Sequence, residues 1–286
     1  SACDDSNLCL VNPREFEIDG SSECSASSVC ALFAQSLGSH NADLLCFGVL
    51  GAVGDTHFDS SGELTGVNDL VFQQAKSRNL AAFEDEYLLK VGEQIPALQL
   101  KRYVDALGSF GYFNGGPDFA IKGLLEGFDE RYIAKADEYT ETFESILNHY
   151  LSHFELDTAG DCHWFYLDDT FAPFGVKTVG LVAEQIIEAS DPASEKYLIG
   201  FQDLPSKIPG TGFFEFKEWK LSFRVTPALE EKVRDGARRS LVEVVPNCAE
   251  KVGGFVDACH DHAAACTVPH GKEDEFLKHF VSEVRI

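Results

Sequence analysis

Apolar residues recur at helical spacing along most of this chain, and this pattern constrains its fold more than any other feature. In residues 135–154, for example, Phe143, Leu147 and Tyr150 fall on one face of a helix. Hydrophobic residues make up 44% of the 286, so such faces can bury a substantial core. The same spacing predicts further helices over residues 25–37, 66–80, 81–107 with a break at Pro96, 175–190, 227–245 and 272–284.

Strand signals are scarce by comparison. Residues 213–225, with the sequence FFEFKEWKLSFRV, alternate between apolar and polar side chains and are rich in Phe and Trp, which is typical of a strand. No other segment shows this alternation as clearly. The predicted fold class is therefore mainly α, or α-rich with a few short strands.

A short motif occurs twice, as GDTHF at residues 54–58 and as GDCHW at residues 160–164. Its repetition predicts an internal duplication, with pseudo-repeated helical halves at residues 41–147 and 148–286 behind a Cys-rich segment at residues 1–40, all in one compact unit. One irregular α-rich domain is the alternative. Flanking matches keep the same order at offsets of 106 to 110 residues: Asn41 with Asn148, Gly66 with Gly175, and Tyr87 with Tyr197.

Nine cysteines cluster toward the two ends of the chain, with five in the first 46 residues and three in residues 248–266. No C-x-x-C pair of the kind found in zinc ribbons occurs, so the clustering favours disulfide-tied termini in an oxidising compartment. The chain contains no Met, and we expect that a leader has been removed. These features predict a secreted protein, periplasmic or extracellular.

The chain is strongly acidic. It has 23 Lys and Arg against 47 Asp and Glu, a formal net charge of −24. Such a field repels polyanions and concentrates cations, so we expect no nucleic acid among its partners. A membrane span is also not expected, because the most apolar stretch, at residues 44–54, is shorter than the roughly 20 residues that a span needs.

The repeated motif places a carboxylate and an imidazole two residues apart, Asp55 with His57 and Asp161 with His163. In extended backbone, side chains at that spacing point the same way. If both copies converge, their oxygen and nitrogen atoms form a mixed ligand set that suits iron, manganese or zinc. A structural origin is equally open, in which the aspartate caps a turn and the histidine bonds to backbone.

A second cluster of metal-binding side-chain types lies in CHDHAAACTVPH at residues 259–270. His260 and His262 are paired if this segment is extended, and such ligands suit zinc or copper. If Cys259 and Cys266 instead form a disulfide, the thiolates are lost and the histidines become ordinary surface residues.

Familiar catalytic signatures are missing from the chain. There is no P-loop, no GxGxxG fingerprint and no GxSxG nucleophile elbow. His149 and His153 stand four residues apart, but Tyr150 occupies the position where the HExxH metalloprotease motif has glutamate. We expect these two histidines to lie on a solvated helix face.

These observations predict a secreted acidic protein that captures a transition metal ion, iron first and zinc next, through its Asp-x-His loops. A cell-surface receptor or transporter is a further expected partner, and the oligomeric state is left open. The first alternative is an extracellular zinc- or iron-dependent hydrolase or lyase, with a metal-bound water as the reactive group. The second is a protein that encloses an apolar ligand or pigment. A binding protein is favoured over an enzyme.

Overall fold

The computed structural model describes residues 11–285. Its internal contacts divide the chain into two compact units. The first comprises the residues up to 104 together with residues 120–134. The second comprises residues 105–119 and the residues from 135 onward.

Ten α-helices are present in the described part of the chain. They are α1 (Ala26–Leu37), α2 (Leu45–Gly54), α3 (Gly66–Ser77), α4 (Ala97–Asp105), α5 (Gly116–Glu126), α6 (Glu130–Leu151), α7 (Thr178–Glu188), α8 (Pro227–Arg234), α9 (Leu241–Lys251) and α10 (Glu273–Val284). Their ends follow local sequence signals. The Ser25 hydroxyl accepts a hydrogen bond from the Ser28 amide at the start of α1, and Pro227 occupies the first position of α8.

Eleven strands are found among the same residues. They are β1 (Ala81–Phe83), β2 (Tyr87–Val91), β3 (Glu93–Pro96), β4 (Asp157–Ala159), β5 (Cys162–Tyr166), β6 (Tyr197–Asp203), β7 (Lys207–Ile208), β8 (Gly212–Phe213), β9 (Glu218–Val225), β10 (Phe255–Cys259) and β11 (Ala263–Pro269).

The first unit packs helices α1, α2 and α3 together and carries an antiparallel sheet of order β1-β2-β3. Helix α2 is almost wholly apolar, and Leu45, Val49 and Ala52 are completely buried. Gly48 allows its neighbours to approach closely, because a Cβ atom at this position would lie 2.8 Å from Val71 Cγ1. A helix that is apolar all round is therefore buried, as expected for the core of a unit.

The second unit is built on a six-stranded sheet of order β10-β11-β9-β6-β5-β4. Strands β5 and β6 are parallel and are joined through α7, whereas the other neighbouring pairs are antiparallel. Both faces of this sheet are covered. Helix α7 brings Val179 against Gly200 on one face, and α10 brings Phe276 and Phe280 against Phe223 on the other.

The prediction of a mainly α fold was wrong, because this mixed six-stranded sheet is the centre of the second unit. Strand β6 is buried at six consecutive positions, so it has no alternation of apolar and polar residues for a sequence pattern to detect. Residues 81–96, predicted as helix, form the three strands of the first unit. There Tyr87, Leu89 and Val91 are buried at every second position, which is the period of a strand.

Disulfide-tied termini were also predicted wrongly. The seven cysteines in the described part of the chain are all free, and Cys3 and Cys9 lie outside the described residues. Most of the seven are buried. Burial raises the pKa of the Cys46 and Cys248 thiols to about 11 and that of Cys162 to about 12, so these groups act as small apolar side chains.

The two copies of the repeated motif have different local structures, so the prediction of pseudo-repeated helical halves was wrong as well. The first copy follows the end of α2, where Thr56 takes a left-handed conformation with φ of 56°. The second copy begins in the turn of the β4–β5 hairpin, with Gly160 at φ of 63°, and continues into strand β5. The boundaries at residues 40 and 147 stay a prediction.

Several local predictions are confirmed. Helices α1, α3, α7 and α10 and strand β9 lie where the sequence patterns predicted them, and the apolar face of α6 is buried at Phe143, Leu147 and Tyr150.

Across residues 11–285, none of the helices combines the length and apolar character needed to cross a membrane.

Candidate anion-binding site

The loop between α8 and α9 carries two adjacent arginines, Arg238 and Arg239, in a segment predicted to continue a helix. The helix stops at Arg234, and Gly236 follows with a φ of 71° that favours glycine. Helix α9 then starts with a capping box, in which Ser240 and Glu243 satisfy each other's backbone amides. Two sequence signals mark this loop, the S-x-x-E pattern at Ser240 and Glu243 and the glycine at Gly236. The prediction of one helix over residues 227–245 overlooked both.

This loop forms one side of a cavity of about 700 Å³ in the second unit. The chain has nine arginines, and four of them line this cavity. The lining also includes His262 and two carboxylates, so arginines outnumber acids there by four to two. In the chain as a whole the acids are in excess, with a net charge of −24. The charged and imidazole residues in question are Arg234, Arg238, Arg239, Arg285, Glu243, Asp261 and His262.

Arg238 is the most buried of the four arginines, with only 8% of its side chain exposed. Its Nη2 donates a hydrogen bond to Asp161 Oδ2 at 2.9 Å, and its Nη1 lies 3.6 Å from Glu195 Oε2. The guanidinium also lies over the ring of Tyr197, 5.7 Å from the ring centre. Burial alone lowers the pKa of Arg238, but the hydrogen bonds and charges of Asp161 and Tyr197 raise it overall, so the group stays charged.

The other arginines are held less tightly. Arg239 contacts Glu283, and Arg234 Nη2 donates to Glu230 Oε1 at 2.9 Å along helix α8. Arg285 is exposed at the end of α10, and within residues 11–285 it forms no ion pair. With respect to the described residues, the guanidinium of Arg285 is therefore available to solvent or to a ligand.

Two buried polar atoms in the cavity lining have no hydrogen-bond partner among residues 11–285. They are Arg238 Nε and His262 Nδ1. The other imidazole nitrogen of His262 is 3.9 Å from Glu230, beyond hydrogen-bond distance. Because an unsatisfied buried donor or acceptor costs about 1–3 kcal/mol, such atoms indicate a place where a ligand or water completes the bonding.

The first predicted ligand pair, Asp55 and His57, lies in the first unit and does not act together. Asp55 is exposed, whereas His57 is 7% exposed and its Nδ1 is 3.1 Å from Asn68 Nδ2. An amide nitrogen only donates, so His57 Nδ1 is the acceptor. Asn68 Oδ1 in turn accepts from the Ser25 amide at 2.9 Å and from the Ser28 hydroxyl at 2.8 Å. His57 thus belongs to a buried network that ties the loop to α1 and α3.

The second pair, Asp161 and His163, lies in the second unit. Asp161 binds a cation, but the cation is the guanidinium of Arg238. His163 sits on strand β5 beside Cys162, and burial lowers its pKa from 6.5, which favours the neutral imidazole. The two side chains therefore perform separate tasks.

His260 and His262 occupy the tight connection between β10 and β11. The His260 amide donates to the Ala263 carbonyl at 2.8 Å and its side chain is exposed, whereas His262 turns toward the arginine-lined cavity. Of the six predicted ligands, the structure thus brings Asp161 and His262 to one place, the surroundings of Arg238. Sequence reasoning missed the arginines themselves, because their convergence brings Arg285 to residues 234–239, which lie far from it along the chain.

The predicted capture of a metal ion by Asp-x-His loops was wrong. Within residues 11–285, the His, Cys, Asp and Glu side chains form no group of three or more that could hold a metal ion. The physical reason is that each candidate is already engaged, in a polar network or an ion pair, or stands apart.

No protein-family model matches this chain, and no curated protein matches it. Among solved structures, it is similar to the DHH domain of a member of the S1P family of ribosomal proteins, with 15% identity and a TM-score of 0.48 over 86% of this chain and 50% of the other. For RecJ from Thermus thermophilus with Mg²⁺, identity is 16% and the TM-score 0.47, over 84% of this chain and 34% of RecJ. For CDC45 from Entamoeba histolytica, the identity is 12% and the TM-score is 0.41, over 90% of this chain and 53% of CDC45.

The chain spans about a third to a half of the length of these structures. RecJ was solved with Mg²⁺ and with Mn²⁺. Iron is not named with any of them.

Nucleic acid was excluded as a partner on the net charge of the whole chain. That exclusion was wrong. It treated the net charge of the whole chain as a guide to every part of its surface, whereas four arginines are concentrated around one cavity.

Proposed function

We propose that the second unit binds a phosphate-bearing ligand of the nucleotide or nucleic-acid class in the arginine-lined cavity. The observation that carries this proposal is the convergence of Arg234, Arg238, Arg239 and Arg285 on one cavity of an otherwise acidic chain. Its volume of about 700 Å³ lies within the usual range for small-ligand pockets.

Arginine is the side chain best suited to phosphate. Its planar guanidinium offers two parallel N–H donors that match two phosphate oxygens, and it remains charged at any physiological pH. A phosphate group also offers oxygen acceptors beside the two unpartnered nitrogens, Arg238 Nε and His262 Nδ1.

The carboxylates beside the arginines support this arrangement. Asp161 and Glu195 hold the guanidinium of Arg238 in one orientation, and Glu283 holds that of Arg239. A fixed orientation reduces the conformational entropy that a ligand must overcome on binding. These acids also offset the charge of the arginines, so the cavity selects a ligand by the geometry of its donors rather than by net charge.

The distribution of charge favours a compact ligand. A long polyanion would extend over surface belonging to a chain of net charge −24, whereas a nucleotide or the phosphorylated end of a single strand meets only the cavity. We therefore expect a terminal phosphate to be the recognised group.

The proposal is tested by calorimetric titration of the full chain with a nucleoside 5′-monophosphate, the matching nucleoside, and a short 5′-phosphorylated single-stranded oligonucleotide. Arg285→Gln and Arg234→Gln should each weaken binding of the monophosphate about tenfold, since a charged hydrogen bond contributes about 1.5–3 kcal/mol. Comparing the dissociation constants of the monophosphate and the oligonucleotide shows whether the cavity prefers a free nucleotide or the phosphorylated end of a nucleic acid.

Arg131→Gln is the matched control. Arg131 is an exposed arginine of the first unit, paired with Asp129, and its substitution changes the net charge by the same amount away from the cavity. Binding of the nucleoside as tightly as the monophosphate, or equal losses in the control and cavity variants, would contradict the proposal.

A further inference from the structure

Two imidazoles meet at the carboxyl end of α6, far along the chain from the arginine loop. His149 lies in the last turn of the helix, and His153 lies in the turn that continues it. Their Nε2 atoms are 3.2 Å apart, and both side chains are exposed. The ring planes are inclined at 79°, so the rings meet edge to face and do not stack.

Ser152 determines which nitrogen of His153 carries a proton. The Ser152 hydroxyl donates to the His149 carbonyl at 2.7 Å, and its single proton is used in that bond. Its oxygen is also 2.6 Å from His153 Nδ1, so this second contact is favourable only when Nδ1–H donates to the hydroxyl. In the neutral ring the Nε2 lone pair is then free, and it is aimed at His149.

This arrangement matches the requirements of a metal-binding histidine pair. A ligating imidazole characteristically donates its other N–H to a fixed acceptor, which orients the ring, and Ser152 is that acceptor for His153. With metal–nitrogen bonds of about 2.0–2.1 Å, two nitrogens 3.2 Å apart subtend an angle of about 100° at the ion. That angle lies between the octahedral and the tetrahedral values.

We propose that His149 and His153 form an exposed two-histidine chelate for a divalent transition metal ion of the nickel, copper or zinc class. In the ion-free protein the contact between the rings is satisfied by a proton on His149 Nε2. The ion takes the place of this proton, which moves to Nδ1 of the same ring. Water completes the coordination, since within residues 11–285 no third His, Cys, Asp or Glu joins the pair.

The ligand type determines the expected order of affinities. Imidazole nitrogen binds Ni²⁺, Cu²⁺ and Zn²⁺ more tightly than Mn²⁺ or Fe²⁺, and Mg²⁺ requires oxygen ligands. This site therefore differs from the iron site predicted from the Asp-x-His motifs. Both histidines are exposed, as expected for a solvated helix face, and the proposal gives that face a ligand. It is also independent of the arginine-lined cavity.

Calorimetric titration of the full chain with NiCl₂ tests the proposal. Ni²⁺ is the preferred probe because it does not oxidise the free thiols of this chain as Cu²⁺ does. His149→Ala and His153→Ala should each weaken Ni²⁺ binding at this site at least tenfold, whereas His40→Ala, which removes an exposed histidine of the first unit, should leave it unchanged. MgCl₂ should give no heat of binding at this site.

Ser152→Ala keeps both imidazoles and removes only the acceptor for His153 Nδ1–H. We expect a loss of about tenfold, the lower end of the range seen when a metal ligand loses its supporting hydrogen bond. Nitrogen-resolved NMR of the metal-free protein should find neutral His153 protonated on Nδ1. Ni²⁺ binding that survives His149→Ala or His153→Ala at the original affinity would overturn the proposal.

Discussion

For Asp161, the sequence correctly predicted that the side chain binds a cation, but it predicted the wrong cation. Its carboxylate was predicted to bind a metal cation, and it does bind a cation, but that cation is the guanidinium of Arg238. A carboxylate has the same need for positive charge in either case. The identity of the cation depends on a residue 77 positions away, which no local pattern contains.

His57 shows the complementary case, in which a residue predicted to bind a metal instead accepts a hydrogen bond inside the core. It is buried beside Asn68, whose own oxygen accepts from Ser25 and Ser28. The network joins α1, α3 and the GDTHF loop, and its loss leaves buried polar groups without partners. A histidine in such a network contributes to stability rather than to binding.

His57→Ala should therefore lower the free energy of unfolding by about 1–3 kcal/mol, because Asn68 Nδ2 loses the nearer of its two acceptors, at 3.1 Å, and keeps only the Ser22 carbonyl. Urea denaturation followed by circular dichroism measures this change. Asp55→Ala is the matched control from the same motif, and since Asp55 is exposed it should change stability by less than about 0.5 kcal/mol. Equal effects of the two substitutions would contradict a structural role for His57.

At the scale of elements, β6 explains most of what the sequence patterns missed. It lies inside the six-stranded sheet, between β5 and β9, with helices on both faces. Its side chains are apolar on both faces, so it lacks the two-residue period that identified β9. Gly200 in this strand accommodates the neighbouring rings and helix at van der Waals distance.

Gly200→Ala should lower the free energy of unfolding by about 1–3 kcal/mol. The added Cβ would lie 2.5 Å from Phe165 Cζ and 2.6 Å from Val179 Cγ2, and neither neighbour can move freely in a packed core. Gly108→Ala is the control, because a Cβ there meets nothing within 4 Å. Urea midpoints of the two variants compare them directly. An unchanged free energy of unfolding in Gly200→Ala would contradict the close packing of α7 against the sheet at Gly200.

At the scale of the whole molecule, the uneven distribution of charge carries the functional argument. The chain has a net charge of −24, yet four of its nine arginines line one cavity. Net charge describes solubility and long-range repulsion, whereas recognition depends on the few groups that face a ligand. The location of the protein outside the cell stays a prediction from composition.

Ligand binding in the cavity should stabilise the folded chain. By linkage, a nucleoside monophosphate at a hundred times its dissociation constant adds about 2.7 kcal/mol to the free energy of unfolding of the unit that binds it. We expect a higher melting temperature in differential scanning calorimetry, and a smaller increase as NaCl is raised, because salt screens the arginine–phosphate attraction. The uncharged nucleoside serves as the control. A salt-independent increase would indicate apolar binding elsewhere.

The parts of the fold that were predictable rest on local interactions. Thr226 and Pro227 mark the start of α8, Ser25 caps α1, and the period of apolar residues identifies the buried face of α6. These signals act within one or two helical turns, so they can be read from neighbouring residues. Capping and amphipathicity need no knowledge of the tertiary structure.

The candidate site was only partly predictable. Asp161 and His262 were selected from the sequence, and both lie at or beside the cavity, but they were assigned to metal binding. The arginines were not selected, because Arg285 and the 234–239 segment are separated by some fifty residues and meet only through packing of α8, α9 and α10. Convergence of this kind is a property of the folded unit.

By itself, the sequence determined the helices with strong periodicity, their caps, the strand β9, and the overall acidic charge. Only the tertiary structure decided that β6 lies inside a mixed sheet, that the cysteines of residues 11–285 stay unpaired, and that four arginines surround one cavity. The reason is physical. Helix caps and amphipathic faces depend on contacts between near neighbours, whereas strand pairing, disulfide geometry and the assembly of a binding site depend on contacts between residues far apart along the chain.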